Sequence, residues 1–135
     1  MGWSNGGSTV LATAHERPDL PAGLFRRFVA FYPGCATASR ATGYRLTAPL
    51  LILVGANDDW TPAEPCRRLA ARLPKQISLV VYPDAWHDSD APGRPVRERV
   101  GLATTPSGTG RAHTGTNEPA RADALRRVPT FLDAP

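Results

Sequence analysis

The chain has 135 residues, of which 41% are hydrophobic, enough for one small core, and no apolar run approaches the roughly 20 residues of a membrane span. Its formal net charge is +4, but apart from Lys75 the basic residues are arginines, scattered singly or as the short pairs Arg26-Arg27, Arg67-Arg68 and Arg126-Arg127, with no basic run interleaved with aromatics of the kind that marks a nucleic-acid surface. Cys35 and Cys66 form no C-x-x-C pair, which leaves zinc and thioredoxin-type chemistry without support; a disulfide and two buried thiols both remain open.

The first residues, Gly2-Trp3-Ser4-Asn5-Gly6-Gly7, spell G-x-S-x-G, the nucleophile elbow in which a serine sits on a sharp turn between a strand and a helix. The strand that feeds such a turn is expected before Met1. Residues 5–16 then read as a helix ended by Pro18 and Pro21. A first strand is predicted at 28–32, stopped by Pro33-Gly34, with an exposed edge where the feeding strand would pair. Residues 36–47 are polar without a clear period. Leu50-Leu51-Ile52-Leu53-Val54 runs without alternation to Gly55, as suits a strand buried on both faces of a parallel sheet. Thr61-Pro62-Ala63-Glu64 offers a capping box with proline at the first helical position. Cys66, Leu69, Ala70 and Leu73 give that helix an apolar face, and Pro74 ends it. The third strand is predicted at 77–82, completing a parallel βαβ unit. Residues 91–118, rich in Pro, Gly, Thr and Arg, read as a long surface loop. A last helix is expected from about 119 to 132, with Asn117 as cap and Pro129 kinking or shortening it.

In open parallel sheets, ligands bind beyond the carboxyl ends of the strands. The second of the three predicted strands is followed by Asn57-Asp58-Asp59-Trp60, and the third by Asp84-Ala85-Trp86-His87-Asp88. An acid and a histidine thus fall at the same sheet edge as the elbow, in the chain order Ser, Asp, His. Serine is a poor nucleophile near neutral pH and needs a base beside it. A histidine can take that proton, and a carboxylate on its other nitrogen fixes the tautomer and stabilises the imidazolium. Of Asp58 and Asp59, one is expected to cap the following helix. His87, Asp88 and Asp90 match no metal-ligand spacing and read as a solvated acidic turn. His15 and His113 are expected on the surface without a role.

Four landmarks together, Gly2-Trp3-Ser4-Asn5-Gly6-Gly7, Phe31-Tyr32-Pro33-Gly34, Gly55-Ala56-Asn57-Asp58-Asp59-Trp60-Thr61-Pro62 and Tyr82-Pro83-Asp84-Ala85-Trp86-His87, resemble the dienelactone hydrolase family of the α/β-hydrolase superfamily. The resemblance implies an α/β fold, with residues 1–135 forming the C-terminal part of the family domain. That part would hold a parallel sheet of about three recognisable strands with flanking helices, and the earlier strands would lie outside the chain. It implies Ser4 as nucleophile, Asp58 as acid, His87 as base and the Asn5 backbone N–H as one oxyanion donor. The second donor is expected from a loop outside this chain. Trp3, Trp60 and Trp86 are candidates either to line the pocket or to pack the loops. Dienelactone hydrolases proper resemble this chain but carry cysteine at the elbow, so Ser4 points to a broader esterase-like member.

The expected chemistry is hydrolysis of a small-molecule ester or lactone through an acyl-enzyme. No cofactor, metal, nucleic acid or membrane is implied. An inactive remnant without a complete oxyanion hole is the alternative, and a basic binding module the third. A cytoplasmic location is preferred, with export the alternative if Cys35 and Cys66 pair.

Overall fold

The computed structural model describes residues 1–18, 20–21 and 23–134. A parallel sheet in the order β1-β2-β3-β4 forms its centre, with β1 at Gly2–Trp3, β2 at Phe28–Phe31, β3 at Leu50–Gly55 and β4 at Ile77–Tyr82. Every residue of β2 and β3 is buried, because these strands have apolar side chains on both faces and helices cover both. Side chains alternate across the sheet. Phe28, Ala30, Leu50 and Ile52 pack with Leu11 and Ala14 of α1 (Asn5–Ala14), Ala38 of α2 (Ala36–Arg40), and Cys66 and Leu69 of α3 (Ala63–Arg72). Val29, Phe31, Leu51 and Leu53 face the other way, onto Ala124 and Val128 of α4 (Glu118–Asp133).

The sheet has one strand more than the sequence predicts. Gly2 pairs with Ala30 and Trp3 with Phe31, so the end of the feeding strand lies inside the chain. Strand β2 is therefore interior in the strand order, and the exposed edge expected at 28–32 is paired at Ala30 and Phe31. The polar stretch at 36–47 contains the short helix α2. Five residues do not hold a helix unaided; here the Arg72 guanidinium donates to the carbonyls of Ser39 at 2.7 Å and Ala41 at 2.8 Å. A disulfide joins Cys35 to Cys66, with their Cα atoms 5.1 Å apart. It ties the start of α2 to α3 and decides between the two states left open above.

The capping box at Thr61 does not form. Helix α3 begins at Ala63 with Pro62 at the cap position, and the Thr61 hydroxyl lies 2.9 Å from the Tyr32 carbonyl and 3.0 Å from Asp58 Oδ2 instead. Asn117 does cap α4, its side-chain oxygen accepting from the Ala120 N–H at 3.0 Å. The helix continues through Pro129 to Asp133 rather than ending there. The stretch at 91–118 is not loop throughout. It carries an antiparallel hairpin of β5 (Arg97–Arg99) and β6 (Ala112–Thr114). Strand β5 is wholly exposed, so no burial pattern announced it. Among the described residues, no helix is long and apolar enough to cross a membrane.

Candidate active site

Ser4 is the residue at which β1 turns into α1. Its backbone sits at φ 50° and ψ −117°, in a region that costs a non-glycine residue about 1–3 kcal/mol. Two hydrogen bonds hold it there. The Ser4 N–H donates to the Phe31 carbonyl at 3.0 Å, and the Ser4 carbonyl accepts from the Ser8 N–H at 2.9 Å. Close packing explains the glycines. A Cβ at Gly2 would lie 2.4 Å from the Gly6 carbonyl oxygen, and one at Gly7 would lie 2.8 Å from that of Phe31. A Cβ at Gly6 meets open space. On the helix side, packing therefore demands glycine one position later than the motif places it.

Asp58 sits in the turn after β3 and His87 in the turn after β4. Each oxygen of the Asp58 carboxylate has its own work. Oδ1 accepts from the backbone N–H groups of Trp60 at 3.0 Å and Thr61 at 2.7 Å. Oδ2 lies 2.8 Å from His87 Nδ1. The other imidazole nitrogen, Nε2, lies 2.8 Å from Ser4 Oγ. Asp58 is 3% exposed and His87 1%, so water contributes little to satisfying them. A buried carboxylate needs such a shell of donors to stay ionised. A carboxylate only accepts, so the proton between it and the ring belongs to Nδ1. That leaves the Nε2 lone pair facing the serine hydroxyl.

The turns that carry Asp58 and His87 touch backbone to backbone. Asn57 N–H donates to the Ala85 carbonyl at 3.0 Å, and a Cβ at Gly55 would lie only 2.1 Å from that same oxygen. The rings of Tyr32 and Trp60 pack on the His87 ring with centroids 4.5 and 4.8 Å away. Asn5 is the first residue of α1, where a backbone N–H has no acceptor within the helix.

A cavity of about 500 Å³ opens beside Ser4 and Asn5. Trp60 and Thr61 line it, and Thr104, Thr105 and Pro106 from the tip of the β5–β6 hairpin also line it. Trp3 and Trp86 lie elsewhere. Trp3 stacks on Phe31 at 5.3 Å and borders a different hollow, beside α4. Trp86 packs on His113 at 4.6 Å. Of the three candidate tryptophans, Trp60 is the one at the serine.

With this geometry in view, comparison with known proteins places the chain. Residues 1–134 match the family model of the dienelactone hydrolase family. The chain belongs to the dienelactone hydrolase family. A crystal structure of a Klebsiella pneumoniae protein, provisionally named a dienelactone hydrolase, superposes with a TM-score of 0.62 at 21% identity, over 97% of this chain and 49% of that one. This chain thus spans about half that protein's length. A protein of unknown function from Agrobacterium tumefaciens, provisionally named an α/β hydrolase, is similar at 22% identity with a TM-score of 0.46, over 64% and 39% of the two chains. No curated protein matches. The fold is that of the α/β hydrolases, covered in part.

Around the turns that carry Ser4, Asp58 and His87 stand residues whose partners no local motif pointed to. Asp90 is not merely part of a solvated acidic turn. It accepts from the Trp3 indole N–H and the Tyr32 hydroxyl, each at 2.8 Å, fastening the histidine turn to β1 and the end of β2. Burial and the adjacent Asp90 carboxylate push the Tyr32 hydroxyl far above the ordinary tyrosine range, so it stays a donor. Asp59 caps no helix; its carboxylate accepts from the His113 backbone N–H and lies against its Nδ1, both at 2.8 Å. His113, expected to be idle on the surface, therefore joins the hairpin to the turn of Asp58 and Asp59. Its partner lies 54 residues away, and no local pattern spans that distance.

Proposed function

We propose that this dienelactone hydrolase family member hydrolyses small-molecule esters or lactones, with Ser4 as nucleophile, His87 as general base and Asp58 as the orienting acid. In this reading Ser4 Oγ attacks the carbonyl carbon while its proton passes to His87 Nε2. Asp58 stabilises the imidazolium across Nδ1. The carbonyl oxygen becomes an oxyanion facing the Asn5 N–H at the start of α1. The imidazolium then returns its proton to the leaving alcohol as the acyl bond to it breaks. Water, activated by the same His87, releases the acid and restores Ser4. The observation that carries this reading is His87 bridging Ser4 Oγ and Asp58 Oδ2 at 2.8 Å on each side. No cofactor or metal enters any step.

The span of half a relative's length favours a second reading alongside the first, in which the second oxyanion donor is not supplied by these residues. Losing one such donor costs about a hundredfold or more in rate. Ester turnover by this chain alone is then weak, while the nucleophile remains reactive. A fluorophosphonate probe tests the two together: Ser4 is labelled in the intact chain, turnover is slow, and Ser4→Ala removes the label. Undiminished labelling of Ser4→Ala would overturn the assignment. The Cys35–Cys66 bond supports an oxidising compartment over the cytoplasm. The partner in this reading is a small molecule, and neither nucleic acid nor membrane takes part.

A further inference from the structure

We propose that the tip of the β5–β6 hairpin is the substrate-selecting wall of the site, and that it admits an uncharged part of the ester. The proposal rests on the hydrolase reading of Ser4 given above. Thr104, Thr105 and Pro106 line the same cavity as Ser4 and Trp60, although they lie far from both in sequence. None of the three side chains carries charge. A charged group resting on this wall would lose part of its hydration without gaining a counter-ion from these three residues, whereas an alkyl group has no such hydration to lose.

The wall is fastened at its base and at its tip, from the acid turn. At the base, the Asp59 carboxylate holds His113 through backbone and ring, both at 2.8 Å. The Gly115 N–H donates to the His87 carbonyl at 2.9 Å, so the hairpin base also rests on the histidine turn. At the tip, the Trp60 indole N–H donates to the Thr104 carbonyl at 3.1 Å. The tip is braced internally as well. Thr105 Oγ1 accepts from the Gly110 N–H at 3.1 Å, and the Leu102 N–H donates to the Gly110 carbonyl at 3.0 Å. Three consecutive residues thus divide the work. Asp58 orients the base, Asp59 holds the hairpin's base and Trp60 holds its tip. His113 is a positioning residue in this scheme, since its side chain reaches the site through the hairpin.

The test uses the intact chain and two fluorophosphonates of equal length, one ending in a methyl group and one in a carboxylate. The readout is the ratio of their rates of Ser4 labelling, followed by mass spectrometry. Wild-type protein is expected to prefer the methyl-ended probe by about tenfold or more. Thr104→Lys places a cation on the exposed wall and should shift that ratio toward the carboxylate-ended probe by about tenfold. His113→Ala removes the ring contact with Asp59 and leaves only the backbone one, which loosens the hairpin base and should bring the ratio toward one, while His113→Asn, which keeps a side-chain donor for Asp59, should restore the preference. A purely structural role for His113 would slow both probes equally and leave the ratio alone. Ratios unchanged within about twofold in Thr104→Lys and His113→Ala, with Ser4 still labelled, would overturn the hairpin assignment and leave the hydrolase reading standing. Failure of both probes to label wild-type Ser4 would instead overturn the hydrolase reading, and this proposal with it.

Discussion

Replacing Asp58 with asparagine separates what this side chain does for the fold from what it does for the base. Oδ1 accepts two backbone N–H groups, from Trp60 and Thr61, and an amide nitrogen cannot take that place. The asparagine oxygen must therefore occupy the Oδ1 position, which puts the NH₂ group where Oδ2 faced His87 Nδ1 at 2.8 Å. Two donors cannot face each other, so the imidazole adopts the other tautomer. Its proton then sits on Nε2, pointing at Ser4 Oγ, and the serine has no base. The expected loss is about 10³–10⁴-fold in the rate of Ser4 labelling by a small fluorophosphonate, roughly 4–5.5 kcal/mol. The fold should hardly notice, because the turn keeps its acceptor. Asp58→Ala makes the contrast: it leaves two N–H groups of a half-buried turn without their acceptor and should lower stability by about 1–3 kcal/mol. Labelling rates by mass spectrometry and urea midpoints measure the two effects. Asp58→Asn labelled within about tenfold of wild type would refute the orienting role.

Three further outcomes follow from the packing and the charges. A Cβ at Gly55 would lie 2.1 Å from the Ala85 carbonyl oxygen, where real contacts stay above 3.0 Å, so Gly55→Ala must push the acid and base turns apart by about 0.9 Å. We expect a loss of about 1–3 kcal/mol in urea unfolding and about a hundredfold slower Ser4 labelling; unchanged labelling would show that the turns tolerate the shift. Cys35→Ala with Cys66→Ala opens a link across a sequence separation of 31 and should cost about 3–4 kcal/mol on the chain-entropy account, read as the difference in urea unfolding free energy; no change would mean that packing alone fixes α2 on α3. Asp123, hydrogen-bonded by Arg127 and Tyr82, has its carboxyl held below the ordinary range, so its stabilisation is present above the unfolded carboxylate value of about 3.9 and is lost as pH falls through the lower folded one. The stability gap between wild type and Asp123→Asn should therefore shrink on acidification, and a gap independent of pH would contradict this.

Much of the fold was legible because its strands advertise themselves. β2 and β3 are apolar at every position, and a parallel sheet covered on both faces requires that. The site was legible for a related reason: Ser4, Asp58 and His87 each follow a strand at the same sheet edge, and strand order alone brings those ends together. What stayed hidden depends on contacts without a period. β1 is two residues long, Gly2 and Trp3, too short to show any alternation. Helix α2 is held by Arg72 from another helix, and Thr61 was drawn away from its expected capping role by Tyr32 and Asp58. In the hairpin, β5 is wholly exposed and β6 is only three residues long, too short for its alternation to be read. The Asp59–His113 and Asp90–Tyr32 pairs join residues 54 and 58 positions apart, beyond the reach of any motif.

In the proposed mechanism Ser4, His87 and Asp58 act as one unit, and a double-mutant cycle on Ser4 labelling measures that coupling. The rates of His87→Ala, Asp58→Asn and the combined variant are compared with wild type. If Asp58 works only through His87, the combined variant reacts at the His87→Ala rate within about twofold. Independent losses that multiply in the combined variant would mean that Asp58 and His87 do not act through one another.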